Sequence, residues 1–334
     1  MGKLTRRLLV AVLLGVVVYG ALVLYRDVHK VADSLRHFAW GSFALACGLA
    51  FTNYLLRFLK WEYYLAKLGI RDVPKLESML TFFSGFVLTI TPGKVGEVFK
   101  SVILAQTRGV PIARSAPIVV AERVTDLIGI IVMITVGSLS FEGGVFWASA
   151  GAAIVAALLA FVSVPSLSDP VIAKLPSLPG ALGRFGGRAA PKLAESLGGL
   201  RELTPALRLV WPTVLSIAAW SLEGIGLWVI LRGFGERPGL PQTAFIYATA
   251  TLAGALIPVP GGLGVTEKLL EEQMARLAHV PFATATAAMI LVRFATLWFA
   301  VAVGFLALAI LRLRHPGLRT SVEADARKDA KFAG

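Results

Sequence analysis

The chain has 334 residues, 56% of them hydrophobic and 16% charged, with a mean hydropathy of +0.74. Soluble domains are about 25% charged and less apolar, so this composition excludes an ordinary soluble protein, and disorder or a collagen-like chain with it; the single cysteine, Cys47, excludes an internal disulfide. The 33 Lys and Arg against 20 Asp and Glu leave a net charge of +13, which in so apolar a chain is read as membrane topology before nucleic-acid binding, because cytoplasmic loops of membrane proteins collect Lys and Arg.

A membrane-spanning helix takes about 20 mostly apolar residues. Lys3, Arg6 and Arg7 precede the uncharged run Leu8–Tyr25. A signal peptide has that pattern too, but this run exceeds the usual apolar region and no clear small-x-small cleavage site follows, so a retained first helix is expected. Next come the uncharged run Phe38–Leu56 and a shorter one, Ser78–Gly93, which ends in Thr91-Pro92-Gly93-Lys94. Ser115–Phe141 is apolar around Glu122, Arg123 and Asp126, and Gly143–Ser168 is uncharged. Residues 165–208 are basic and rich in Pro and Gly, and read as a cytoplasmic linker, either a solvated loop or amphipathic pieces on anionic headgroups. Leu209–Leu231 contains Glu223, Pro238–Thr266 is uncharged, and Val280–Leu311 contains Arg293. A basic polar tail, 312–334, is expected in the cytoplasm.

The positive-inside rule wants the N-terminus, the stretch 60–114 (counting Lys60 and Lys100 among its charges), the linker and the tail on one side. Eight full crossings forbid that. The conflict disappears if Ser78–Gly93 enters the membrane and returns, and Pro238–Thr266 does the same from the opposite face. An all-α polytopic membrane protein is therefore expected, with six full transmembrane helices, two re-entrant hairpins and both termini inside. Gly and Pro at both tips fit, since non-helical backbone at membrane depth is tolerated where protein or a cavity surrounds it.

A repeat supports this reading. Thr91-Pro92-Gly93-Lys94-Val95-Gly96-Glu97 matches Val259-Pro260-Gly261-Gly262-Leu263-Gly264, with Glu267 close behind. Glu97 to Arg123 and Glu267 to Arg293 are both 26 residues (123 − 97 and 293 − 267). Upstream, Arg57 in one half and Glu223 in the other interrupt a long apolar helix. The expected domain is 1–311, with inverted halves at about 38–141 and 209–311. Inverted repeats broken by Gly and Pro at matching places point to a transporter site near the midplane.

A charge at the bilayer centre costs about 2.5–3.5 kcal/mol or more, so it needs a partner or a wet cavity. Arg123 and Asp126, at i,i+3, are expected to pair, with Arg123 also separating Asp126 from Glu122. Arg293 has no acid within a turn and must reach Glu267, Glu223 or a ligand. These charges read either as an ion-pair network fixing helix register or as a binding site. In the second case Arg123 and Arg293 present planar forks to a phosphate, and Glu97 and Glu267 hold them between events. The helix after each tip turns its positive end inward, with Lys94 in its first turn. The four histidines fall in loops or at span edges, and no zinc spacing, Walker A loop or nucleophile–base set is readable, so no metal, cofactor or ATP use is expected.

TPGKVGE (91–97), AERVTD (121–126) and IPVPGGLGVTE (257–267), as an ordered set, resemble the membrane domain of lysylphosphatidylglycerol synthases, a family with stand-alone flippase-like and hopanoid-associated members. The resemblance runs from about Leu8 to Leu311. It implies lipid translocation carried by the two Pro-Gly turns, Glu97, Glu267, Arg123 and Arg293, with Arg57, Lys94, Asp126 and Glu223 in the same polar set. Gly334 follows the last helix closely, so the aminoacyl-transfer activity of the two-domain members is not expected here. The expected protein is a non-enzymatic inner-membrane lipid translocase for a polar or anionic headgroup, with phospholipid or another polar lipid as partner and no nucleic acid. The alternatives are a non-transporting lipid-binding accessory to a lipid-modifying enzyme and, further off, an intramembrane enzyme.

Overall fold

The computed structural model describes residues 28–89, 96–177, 206–257 and 259–318, with isolated positions at Val17, Tyr19, Gly20, Leu24, Pro179, Gly183, Gly187, Ala190 and Ala194. Most of the first apolar run, most of the linker after Ser177, the tail after Leu318, and the tip residues Pro92, Gly93 and Lys94 lie outside the described residues. The same holds for the side chains of Glu97 and Pro260.

Every regular element among the described residues is helical. A short helix α1 (Val28–Arg36), lying between two apolar runs, precedes α2 (Trp40–Lys67). Then come α3 (Lys75–Ser84) with its 3-10 extension Gly85–Leu88, α4 (Gly96–Arg108) and α5 (Ile112–Ser138). After α6 (Gly144–Ser163) and α7 (Pro165–Lys174), the order repeats: α8 (Ala206–Gly233), α9 (Leu240–Leu256), α10 (Val265–Leu277), α11 (Phe282–Arg293) and α12 (Phe299–Arg314). A π-helical turn, Phe294–Trp298, joins the last two. Among the described residues, Trp40–Lys67, Leu209–Gly233 and Phe282–Arg314 are long and apolar enough to cross a membrane by length and composition.

The two halves agree in detail. α2 and α8 are both 28 residues long, and both their ends are separated by 166 (206 − 40 and 233 − 67). Each ends in the same cap. Gly69 (φ 68°) and Gly235 (φ 85°) take the left-handed conformation that glycine enters without penalty. Ile70 N–H donates to Leu65 C=O at 2.9 Å, and Glu236 N–H to Leu231 C=O at 3.0 Å. α4 and α10 are both 13 residues long, and the turns that follow them match at an offset of 170. Gly109 (φ 66°) is answered by His279 (φ 55°), a residue type that tolerates the left-handed region better than most. Pro111 (φ −54°, ψ 137°) is answered by Pro281 (φ −53°, ψ 137°), each with the fixed φ that suits the residue before a helix's first turn.

α2 packs against α8 more extensively than any other pair of helices packs, and the two run antiparallel. Gly233 lies against Ser42 and Gly226 against Ala46, while Asn53 Nδ2 donates to Ala219 C=O at 2.6 Å. Asn53 and Ala219 are equivalent positions (219 − 53 = 166), so the pseudo-two-fold relating the halves passes between them, across the helix axes.

Both short pairs are hairpins that return to the end of the bundle from which they start. Arg108 and Glu77 pair at the base of α3–α4. Gln242 Nε2 donates to Leu277 C=O at 2.6 Å at the base of α9–α10, and Thr249 Oγ1 to Gln273 Oε1 at 2.8 Å further in. The base of the first hairpin sits with the end of α2, the start of α5 and the end of α12, where Arg114 reaches Leu68 C=O at 2.9 Å and His315 lies 3.5 Å from Glu77. The base of the second sits at the other end, with the start of α2 and the end of α5: Ala39 N–H reaches Gly233 C=O at 3.0 Å, and Gly137 lies against Pro241. The returning arms α4 and α10 carry each hairpin well past Gly93 and Thr266, where the uncharged runs stop. They are amphipathic, so a search for apolar runs stops at the tips.

α12 crosses the first hairpin at Gly304, where a Cβ would stand 2.7 Å from Val87 N and 3.0 Å from Phe86 C. Backbone cannot yield as a side-chain end can, so Gly304→Ala is expected to destabilise the fold by about 1–3 kcal/mol. A lower melting temperature for the purified protein checks this; an unchanged one contradicts the close crossing.

Candidate functional site

The two hairpins meet at a cavity of about 360 Å³. Phe86 and Thr89 line it from the first hairpin, and Thr251, Gly254–Ile257, Val259, Gly261, Gly262 and Thr266 from the second. α2 and α8 supply Tyr54, Arg57, Trp220 and Glu223; α9 adds Tyr247; α5 adds Arg123; and the segment around the π-turn adds Arg293, Thr296, Leu297 and Ala300. Three pairs of lining residues are equivalent in the repeat: Tyr54 with Trp220, Arg57 with Glu223, and Arg123 with Arg293. The cavity therefore lies on the pseudo-two-fold. Its rim at Ala255, Leu256 and Ile257 is exposed and apolar, so the polar interior opens past aliphatic side chains.

In the second half, Arg293 braces the tip. Its Nε donates to Glu267 Oε1 at 2.6 Å and its Nη2 to Gly261 C=O at 2.8 Å, while Glu267 Oε2 accepts the Gly264 N–H at 2.7 Å. Gly261 (φ 61°), Gly262 (φ 70°) and Gly264 (φ 87°) make the turn these bonds hold. The turn lies against α9 so tightly that a Cβ on Gly254 would stand 1.9 Å from Thr266 Oγ1. The expected Arg293–Glu267 pair is thus present. The N-terminus of α10 is capped by Glu267 itself, so that helix end already has an internal anion.

The first half differs from expectation at Asp126. Rather than pairing with Arg123, its carboxylate takes Lys60 Nζ on Oδ1 at 2.5 Å and an Arg57 Nη2 on Oδ2 at 3.1 Å, both from α2. Ser216 Oγ of α8 adds a hydrogen bond to Oδ1 at 2.9 Å. Glu122 likewise finds its cation on another helix, Lys100 of α4, at 2.6 Å, with the ammonium 4.8 Å from the Trp61 and Phe82 ring centroids. The like-charged i,i+4 neighbours are therefore separated by one lysine each. Lys60 is 1% exposed and Lys100 4% exposed, so neither serves as a loop charge for positive-inside counting. Both were missed as buried charges because Lys60 follows the end of the uncharged run Phe38–Leu56 and Lys100 sits on a returning arm. The signal was present in the arithmetic: two acids one turn apart on α5 need two cations, and Arg57 and Lys60 are i,i+3 on α2.

Glu223 accepts the Tyr247 hydroxyl at 2.5 Å. Tyr54, absent from the expected site, donates to Thr296 C=O at 2.9 Å, inside the π-turn where the regular helical bond pattern is broken. Thr296 stands where the repeat places Asp126 (296 − 126 = 170), so the halves use a backbone carbonyl and a carboxylate at equivalent places. Among the described residues no cluster of three or more His, Cys, Asp and Glu has metal-site geometry.

Removing one partner of a buried ion pair leaves an uncompensated charge, at about 3–5 kcal/mol. Glu267→Ala, which strips both Arg293 and the α10 cap, is expected to lower the melting temperature sharply, and more than Lys268→Ala on the same helix, whose side chain is 48% exposed. Equal melting temperatures for the two variants would contradict the brace.

No curated protein matches the chain. The family model described as the lysylphosphatidylglycerol synthase TM region matches residues 8–304, covering the cavity, both hairpins and both long antiparallel helices, and the chain belongs to that family of membrane proteins.

Proposed function

We propose that this protein is a lipid translocase of the cell (inner) membrane that moves a lipid with a polar or anionic headgroup between leaflets. The observation that carries this reading is the cavity on the pseudo-two-fold, lined by three arginines and a glutamate behind an apolar, exposed rim. A cavity of about 360 Å³ lies at the small end of ligand sites and suits a headgroup whose acyl chains stay outside.

In this reading α2, α5, α6, α8, the α11–α12 segment and the run 8–25 cross the bilayer, with both termini in the cytoplasm. The hairpins enter from opposite faces, consistent with bases at opposite ends of the bundle. Arms of 10 and 13 residues in the first hairpin fall short of the about 20 needed to cross. An inverted repeat around a midplane site supports rocking of one half against the other, exposing the cavity to each leaflet in turn. The headgroup is moved unchanged, without ATP.

Purified protein in liposomes carrying a headgroup-labelled anionic lipid is expected to speed transfer between leaflets. Arg123→Ala and Arg293→Ala are each expected to cut that rate at least about tenfold in folded, inserted protein, the scale of losing a charged contact. A double variant that transports at the wild-type rate overturns the reading. So does a headgroup-modified product in the same vesicles, or lipid binding without transport alongside a co-purifying enzyme.

A further inference from the structure

We infer that Arg57 is the guanidinium that leaves the Asp126 carboxylate to take the oxyanion of the cavity's occupant, and that Lys60, which does not line the cavity, is the positioning residue that permits the release. The identity of the occupant rests on the lipid-translocation reading; the release rests on the geometry of two buried carboxylates.

At Glu267, the guanidinium of Arg293 is the one cation among the described residues on the carboxylate, and the other oxygen is spent on the Gly264 N–H. Withdrawing Arg293 strands a charge on a side chain that is 0% exposed and also unties Gly261. Stranding a buried charge is costly, so Arg293 stays in place.

At Asp126 the outcome is different. Oδ2 carries Arg57, while Oδ1 carries Lys60 and Ser216. When Arg57 swings away, the carboxylate keeps a full ammonium at 2.5 Å and a hydroxyl at 2.9 Å, so no charge is stranded. Lys60 is itself held by Thr125 Oγ1 at 3.2 Å and Ser216 Oγ at 2.7 Å, so it stays when Arg57 leaves.

Arg57 is also placed to move. Its side chain is 20% exposed, it lines the cavity, and its guanidinium carbon lies 5.9 Å from the Trp220 ring centroid, over a face along which a planar cation can slide. Arg57 and Lys60 are two cations on the one Asp126 carboxylate, so that carboxylate keeps a counter-charge when the Arg57 guanidinium turns to an anion in the cavity. A phosphate suits the guanidinium fork. That phosphate is either a lipid's phosphodiester or free inorganic phosphate.

The sign of the effect makes Lys60 testable. In Lys60→Met, Asp126 has Arg57 as its remaining cation and holds it, so anion affinity falls although Arg57 is intact. In Lys60→Met/Asp126→Asn the Asp126 carboxylate no longer holds Arg57, and affinity returns. A merely structural Lys60 predicts no such rescue.

The test is calorimetric titration of the detergent-purified full chain with dihexanoyl phosphatidylglycerol and, separately, with inorganic phosphate. Lys60→Met is expected to weaken binding by about tenfold or more, the double variant to recover to within about threefold of wild type, and Arg57→Gln to lose about tenfold in either background. Response to the short-chain lipid identifies a headgroup phosphate; the same pattern with inorganic phosphate alone keeps the release mechanism but removes the lipid as its ligand. If Lys60→Met fails to fold, the charge-neutral double variant decides: wild-type affinity supports the inference, and a tenfold loss overturns it. Unchanged binding in Lys60→Met, or no binding of either probe by wild type, also overturns it. Measuring transport on the same proteins separates the two claims. Transport indifferent to these variants defeats the release mechanism alone, whereas the expected binding pattern without transport defeats lipid translocation alone.

Discussion

An ionised side chain inside an apolar bundle persists only where another group answers it, and that constraint organises this molecule. Among the described residues five buried acids each meet a donor supplied by another helix: Glu122 meets Lys100, Asp126 meets Lys60, Glu267 meets Arg293, Glu271 meets the Thr286 hydroxyl and Glu223 meets the Tyr247 hydroxyl. Those contacts tie α2 to α5, α4 to α5, α10 to α11 and α8 to α9. The helices are thus held in register by polar groups within an otherwise apolar interior, and the cavity lies where the paired groups converge.

The halves share one architecture and differ at the points where it meets the cavity. Equal helices, equal caps and equal proline turns fix the backbone; the side chains then break the symmetry. Arg57 faces Glu223 from its equivalent place, Lys60 is answered by Gly226, and Asp126 is answered by Thr296 in the π-turn. The first half thus sets two cations of α2 on Asp126, and the second ties Arg293 to its tip through Glu267 and Gly261.

Much of this was legible in the residues. The 26-residue spacing from acid to arginine in both halves sets Glu267 among the candidate partners of Arg293, where it is found, and Gly and Pro in matching places point to a turn after each short apolar run. The 166 offset that links Arg57 to Glu223 also marks Tyr54 and Trp220 as a pair lining the cavity. What stayed hidden was hidden by composition. A helix of 28 residues rises about 42 Å, so it continues past the apolar run ending at Leu56 and takes Lys60 into the protein interior. The arms α4 and α10 are amphipathic because one face packs within the bundle, and a scan for apolar segments reads them as loops. Asp126 looked like the partner of Arg123 because both share a helix; tertiary packing supplied lysine and arginine from α2 instead.

The central claim is that each hairpin enters and leaves by the same face, the two from opposite faces. Single cysteines in a Cys47→Ser background, at Asp72 and Ala113 flanking the first hairpin and at Arg237 and Arg276 flanking the second, read this directly with a membrane-impermeant thiol reagent on oriented vesicles. The account predicts that positions 72 and 113 label from the cytoplasmic side and 237 and 276 from the other. Labelling of 72 and 113 from opposite sides, or of 237 and 276 from opposite sides, would mean the segments cross completely, and would contradict it.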